Sequence, residues 1–323
     1  MRNGAASTIP VLALSLVCLL SGCVTINLLP SPGPLKEEKV SGSGPSKVLL
    51  VDLSGLISSH DQGGVLEGSP NLVARIREEL TLAAEDQKVK AIVLRINSPG
   101  GTVTASDILY HEVKALKEKR KIPVIASIMD VGASGGYYVA AAADKILAHP
   151  SSVTGSIGVI MMTANAQGLL EKIGVQATAV TSGPRKDMGS PFRAMTPEER
   201  AIFQGVIDSF YERFLTVVQE GRGKLTAEQI RKLADGRIYA GEQAKTLGLV
   251  DGIGYLDDAV ELAKKEAGLP EARVVMYRRP GEYRNNIYSG LLVGGGGFAG
   301  LPSLDLLAMV RGGTPQFMYL WMP

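Results

Sequence analysis

The chain of 323 residues contains only two cysteines, Cys18 and Cys23, and both lie in its N-terminal apolar stretch. No disulfide framework and no cysteine-built metal site is open to the rest of the chain. Histidine is almost as scarce. His60, His111 and His149 are the only three, and no cluster of histidines and carboxylates at metal-ligand spacing accompanies them, so no metal is expected. A Ser-His-Asp triad is poorly supported as well. His149 precedes Pro150 in a turn, and His60 and His111 fall near a loop and on a charged helix face. Aromatic residues make up 5%, with a single Trp. Neither sign of charge prevails: 34 Lys and Arg against 32 Asp and Glu leave a net +2, which speaks against nucleic acid as a partner. No Walker-type loop or dinucleotide fingerprint appears, so no cofactor is expected.

A long apolar run is also missing. Val11 to Leu20 follows Arg2 and falls short of the ~20 residues that span a bilayer, which reads as an export signal. The run ends in Leu20-Ser21-Gly22-Cys23, which resembles a bacterial lipobox. That resemblance implies a lipoprotein signal peptide over residues 1–22 and diacylation of Cys23, holding the protein at a membrane by its lipid. Val24 after the cysteine is no inner-membrane retention signal. The expectation is a periplasm-facing lipoprotein of the bacterial cell envelope, with the outer membrane favoured over the inner. Residues 23–46 are rich in Pro, Gly and Ser and read as a tether, with the folded domain beginning near Lys47.

From there strands alternate with helices. Val48 to Leu53, Ala91 to Ile96, Ile122 to Met129 and Lys145 to Ala148 read as short buried strands. Leu72 to Ala84 and Ala105 to Lys119 carry apolar residues at helical spacing. This alternation predicts an α/β fold, a mostly parallel sheet with flanking helices. Ala164 to Ile173 is expected as a helix, Val175 to Thr181 as a strand, and Thr196-Pro197-Glu198-Glu199 as a capping box opening a long helix. Val274 to Tyr277 closes the regular part.

Functional loops in such sheets lie beyond the C-terminal ends of the strands. Asn97-Ser98-Pro99-Gly100-Gly101 and Gly132-Ala133-Ser134-Gly135-Gly136 both fall there. Ser134 sits at a strand-to-helix turn, where free backbone N–H groups favour developing negative charge. That position suits an ordinary Ser N-cap as well as a nucleophile. With no usable histidine, the remaining way to activate a serine is a lysine whose amine is kept neutral.

Gly132-Ala133-Ser134-Gly135-Gly136-Tyr137-Tyr138, Thr154-Gly155-Ser156-Ile157-Gly158-Val159, and Ser182-Gly183-Pro184-Arg185-Lys186-Asp187 through Ser190-Pro191 with Arg193 resemble the signal peptide peptidase A family in its short, single-catalytic-domain form. So do the Asn97 to Gly101 turn, Asp235-Gly236-Arg237-Ile238-Tyr239 and Leu249-Val250-Asp251. The resemblance covers residues 47–278. It implies a Clp protease/crotonase-like fold with repeated β-β-α units and a serine endopeptidase working through a Ser–Lys dyad. Carried over by motif, Ser134 is the nucleophile, Lys186 the general base and Ser156 the residue that orients the lysine. The N–H groups of Gly101 and Gly135 are the implied oxyanion donors. Implied partners are cleaved signal peptides or other small apolar peptides, and further copies of the chain, an octamer in which neighbours complete each site. A groove lined by residues such as Val103, Tyr137 and Met161 would suit apolar side chains.

Two other classes share these features: a crotonase-like acyl-CoA hydratase or isomerase, and an inactive membrane-organising scaffold. Obvious acid/base carboxylates are wanting for the first, and the presence of both Ser134 and Lys186 argues against the second. Residues 279–323 form a Gly-rich tail ending in an apolar cluster that includes Trp321. It is expected either to strap onto the domain surface or to lie in an active-site groove as an extended pseudo-substrate.

Overall fold

Alternate residues of Lys47–Ser54 point into two different cores. Val48 and Leu50 pack with Ala91, Val93 and Ile125 on one face, while Leu49 and Val51 pack with Ile92, Leu94 and Ala126 on the other. A strand buried on both faces must read as a continuous apolar run, and these do. The computed structural model describes residues 33–60, 71–279 and 316–322. In chain order the elements are β1 (Lys36–Gly42), β2 (Lys47–Ser54), α1 (Leu72–Glu85), β3 (Val89–Ser98), β4 (Gly100–Thr102), α2 (Val103–Arg120) and β5 (Val124–Ala133). Then come α3 (Gly135–Ala140), β6 (Lys145–Ala148), β7 (Val153–Gly155), β8 (Ile160–Met162), α4 (Gln167–Lys172), α5 (Pro197–Gly221) and α6 (Ala227–Leu233). The rest are β9 (Ile238–Ala240), α7 (Gly241–Thr246), β10 (Gly252–Ile253), α8 (Leu256–Glu266), β11 (Arg273–Arg278) and β12 (Gln316–Leu320).

The main sheet runs β1-β11-β2-β3-β5-β6-β10. It is parallel except at the β1–β11 edge. α8 covers one face, and α1, α2 and α3 lie in the core of the other. This is the expected α/β architecture. Its first half repeats a β-β-α unit: β2, a parallel bridge at Ile57 to Gly101, and α1; then β3, β4 and α2. β5 outruns β6 and carries β7 on its far end, in parallel, with β9 beyond it. A second, smaller sheet, β4-β12-β8, is antiparallel throughout.

Two expectations need correction, and the two readings of the tail narrow. The folded domain begins before Lys47, because Lys36–Gly42 pairs along β11 from Lys36↔Arg278 to Gly42↔Arg273. As an edge strand it is bonded on one side only, and it can therefore be nearly all polar; its Glu37 and Glu38 reach Lys47 and Arg278. The last residues are no simple appendage, since β12 is the middle strand of the small sheet. Val175 to Thr181 is not a strand but an exposed, irregular stretch with nothing beside it to pair with. Residues 1–32, with the signal segment and Cys23, and most of the tail lie outside the described residues.

Candidate active site

β5 ends at Ala133, and α3 starts at Gly135; Ser134 is the joint. Its N–H donates to Gly155 O at 2.8 Å, and its carbonyl accepts from Tyr138 N at 2.8 Å, so neighbouring strand and helix both hold its backbone. It adopts φ +50°, a left-handed conformation that costs a residue other than glycine about 1–3 kcal/mol. The N-cap alternative fails here, because the Ser134 hydroxyl makes no capping bond. Ser134 is 1% exposed and its Oγ has no hydrogen-bond partner among the described residues. A buried hydroxyl without a partner is costly, and here it stands on a strained backbone.

Beside it, Gly100 and Gly101 turn the chain out of the main sheet. Gly101 is locked on one side, with Ile57 N donating to Gly100 O at 2.8 Å and Thr102 N donating to Ile57 O at 2.9 Å. A methyl on Gly101 would lie 1.9 Å from Ile57 O. The other side of Gly101 faces β12 in the register Tyr319↔Gly101. Trp321 N donates to Pro99 O at 2.9 Å. Bonded pairs alternate along an antiparallel ladder, so the next bonded pair directs Gly101 N–H at the Tyr319 carbonyl. At Gly100 (φ +105°) a methyl would sit 2.0 Å from Tyr319 O and 2.7 Å from Gly135 N. Of the two glycines implied as oxyanion donors, Gly101 thus meets the Tyr319 carbonyl, and Gly135 N lies close to the Gly100–Gly101 turn.

The Tyr319 ring is fully buried. It stacks on Tyr138 at 5.0 Å, meets Phe214 at 4.7 Å, and its hydroxyl donates to Phe210 O at 2.8 Å. Burial raises its phenol well above the ordinary range. Of the residues expected to line a groove, Met161 pairs with Phe317 of β12, and Val103 adjoins Thr102, the partner of Met318. Tyr137 does not take part: its hydroxyl donates to Leu249 O at 2.7 Å inside the core, and Tyr138 is the ring that meets β12. Adjacent tyrosines on a helix point about 100° apart, and sequence alone did not say which faced the groove.

Ser156 follows β7, whose Gly155 pairs with Ala133, so the strand register brings it next to Ser134. It too has a left-handed backbone (φ +49°), and its N–H donates to Arg237 O at 2.7 Å. It lines a cavity of about 570 Å³ with Ile157, Gln204, Tyr211, Asp235 and Trp321.

Lys186 is elsewhere. Its loop stands on residues 163–195, where α4 buries no side chain and Val180 is 97% exposed. Lys186 is exposed, and its amine has no partner among the described residues. One chain therefore brings together Ser134, Gly101, Gly135 and Ser156, but not Lys186. The histidines stay local: His60 contacts Ser58, His149 contacts Ser151 and Tyr255, and neither bonds Ser134.

The model of peptidase family S49 matches residues 116–270, a span holding Ser134, Ser156 and Lys186. A protein of Enterococcus faecium that carries the name signal peptide peptidase SppA is 38% identical over 243 residues, 75% of this chain and 70% of its own length. This chain belongs to the signal peptide peptidase A family. It is a serine protease of peptidase family S49, which removes the hydratase and scaffold alternatives. Protease 4 of Salmonella typhi is 38% identical over 231 residues, 72% of this chain but 36% of that longer protein. Among solved structures, a point mutant of ClpP1 from Listeria monocytogenes aligns at a TM-score of 0.42 with 21% identity, covering 65% of this chain and 94% of that one.

Among the described residues no group of His, Cys, Asp and Glu could hold a metal ion, and no helix is long and apolar enough to cross a membrane. A clamp on the Lys186 loop was not directly legible from the residues. Arg193 bridges Asp187 and Glu199, and its hydrogen bonds hold the Glu199 carboxyl down at about 2. Only the spacing of Asp187, Arg193 and Glu199, six residues apart each time, could have hinted at it.

Proposed function

We propose that this family member is a Ser–Lys endopeptidase, with Ser134 as nucleophile and Lys186, delivered by a neighbouring copy, as general base. The observation that carries the reading is the buried Ser134 hydroxyl, without a partner among the described residues, next to a glycine turn whose Gly101 is paired with a peptide unit of β12. The neutral lysine amine takes the Ser134 proton as Oγ attacks the substrate carbonyl. The oxyanion is held by the N–H groups of Gly101 and Gly135, and the loss of one such donor typically costs about 10²–10³ in rate. The lysine ammonium then protonates the leaving amine, and water hydrolyses the acyl-enzyme by the reverse path. Ser156, on the cavity wall, orients the incoming amine.

Delivery in trans is supported by the exposure of the whole Lys186 arm. Leu169, Ile173, Val180 and Phe192 are large apolar side chains left in water, a pattern that marks an interaction surface. A homo-oligomer follows, an octamer by family resemblance. β12 lies in the groove as a substrate would, adding a strand between β4 and β8. The expected substrates are extended apolar peptides, cleaved signal peptides among them. Lipid on Cys23 would hold the enzyme at the periplasmic face of an envelope membrane, the outer one favoured.

The test is turnover of a fluorogenic signal-peptide-like substrate by wild type, Ser134→Ala and Lys186→Ala. Both variants should be inactive. Mixing the two and allowing subunits to exchange should restore a fraction of activity, because each supplies what the other lacks. Activity in Lys186→Ala alone would overturn the base, and a mixture that stays inactive would overturn delivery in trans.

A further inference from the structure

The residue after Lys186 is an aspartate, and its carboxylate is fully engaged elsewhere. Arg193 Nε lies 2.7 Å from Asp187 Oδ2, and Nη2 lies 2.8 Å from Oδ1, a bidentate pair. The same guanidinium donates through Nη1 to Glu199 Oε2 at 3.0 Å and through Nη2 to Glu199 Oε1. Glu199 is built into the start of α5, where it also accepts from Thr196 N at 2.9 Å in a capping box, and its side chain is 5% exposed. The loop is thus fastened to the first turn of a 25-residue helix. Of the other charges here, Arg185 pairs with Glu198. Asp208 and Asp235, the latter held by Arg237, line the same cavity as Ser156, where the amine would arrive.

We propose that Arg193 is a positioning residue for the Lys186 base: it fixes the shape of the loop, and it withdraws the Asp187 carboxylate from the adjacent ammonium. The inference rests on Lys186 being the base. A carboxylate free to approach the lysine would favour its charged form, and a charged lysine cannot accept the Ser134 proton. The two effects are separable. Arg193→Gln loses both the fork and the charge, whereas Arg193→Lys keeps a cation for Asp187 without the planar two-pronged geometry.

The experiment is the pH profile of kcat/KM for the full-length wild type, Arg193→Gln, Arg193→Lys and Lys186→Ala. Activity should rise as pH passes the pKa of the lysine. Arg193→Gln should lose about 10²-fold, mainly in kcat, and its acid limb should move upward by about one pH unit. Arg193→Lys should restore the limb and recover only part of the rate. Asp187→Asn supplies the opposite sign: the clamp is lost, but the limb moves to lower pH, since Arg193 remains beside a lysine that has no carboxylate neighbour. An unmoved limb in Arg193→Gln, or an upward shift in Asp187→Asn, with Lys186→Ala inactive, overturns the role of Arg193. An active Lys186→Ala overturns the base reading instead.

Discussion

Ser134 stands where β5, β7 and α3 meet, buried and held through its backbone, with Gly155 O on one side and Tyr138 N on the other. Lys186 stands on a loop that buries almost nothing and is held by side-chain ion pairs through Arg193 and Arg185. The first half-site is built from main chain and packing, so a change there acts on the stability of the fold as well as on the site. The second is an electrostatic fixture on a surface arm, and it can be altered without touching the core. A nucleophile needs ångström precision against a fixed oxyanion site, so it belongs to the rigid half. The proposed delivery of the base between copies requires that it be presented outward, and exposure is the price of that arrangement.

The sharpest way to break this contrast is Gly101→Ala. Its methyl would press on Ile57 O, displacing both the N–H donor and the turn. Catalysis should fall by about 10²–10³-fold with a lower melting temperature; an active, equally stable variant would show that this turn is not part of the site. Next in size is removal of the tail. A chain ending at Arg311 lacks β12 and should turn over a small apolar peptide roughly tenfold faster, the scale of release from a tethered competitor. Unchanged kinetics would mean that β12 does not occupy the working groove. The smallest effect concerns stability alone. Ser134→Gly removes a left-handed non-glycine and a buried unpaired hydroxyl, and should stabilise the inactive enzyme by about 1 kcal/mol in chemical denaturation. Lys186→Ala, equally inactive, should stay within about 0.5 kcal/mol of wild type. Were Lys186→Ala to shift stability as much as Ser134→Gly does, the contrast between the halves would be wrong.

The doubly covered strands were legible because burial on both faces leaves only apolar residues, as in Val48 to Leu53. The Pro197 helix was legible because its capping box has local chemistry. β1 was hidden, since an edge strand facing water can be written in Lys and Glu. Val175 to Thr181 misled for the opposite reason: its apolar residues serve no core of their own chain. At the site, the glycines around Ser134 and Gly101 could be read as close-approach positions. The exposed setting of Lys186 could not, because motif order along a chain carries no information about which surface a loop is folded onto. Nor could the register of β12, which is set by pairing with β4 and β8, far away in sequence.

The placement of Tyr319 against Gly101 has a bearing on when the enzyme works. A segment joined to its own groove competes at a local concentration of order millimolar whatever the amount of enzyme. On the proposed reading the tethered strand raises the apparent KM for free peptide by a constant factor, so dilute peptides are turned over more slowly while concentrated ones displace β12.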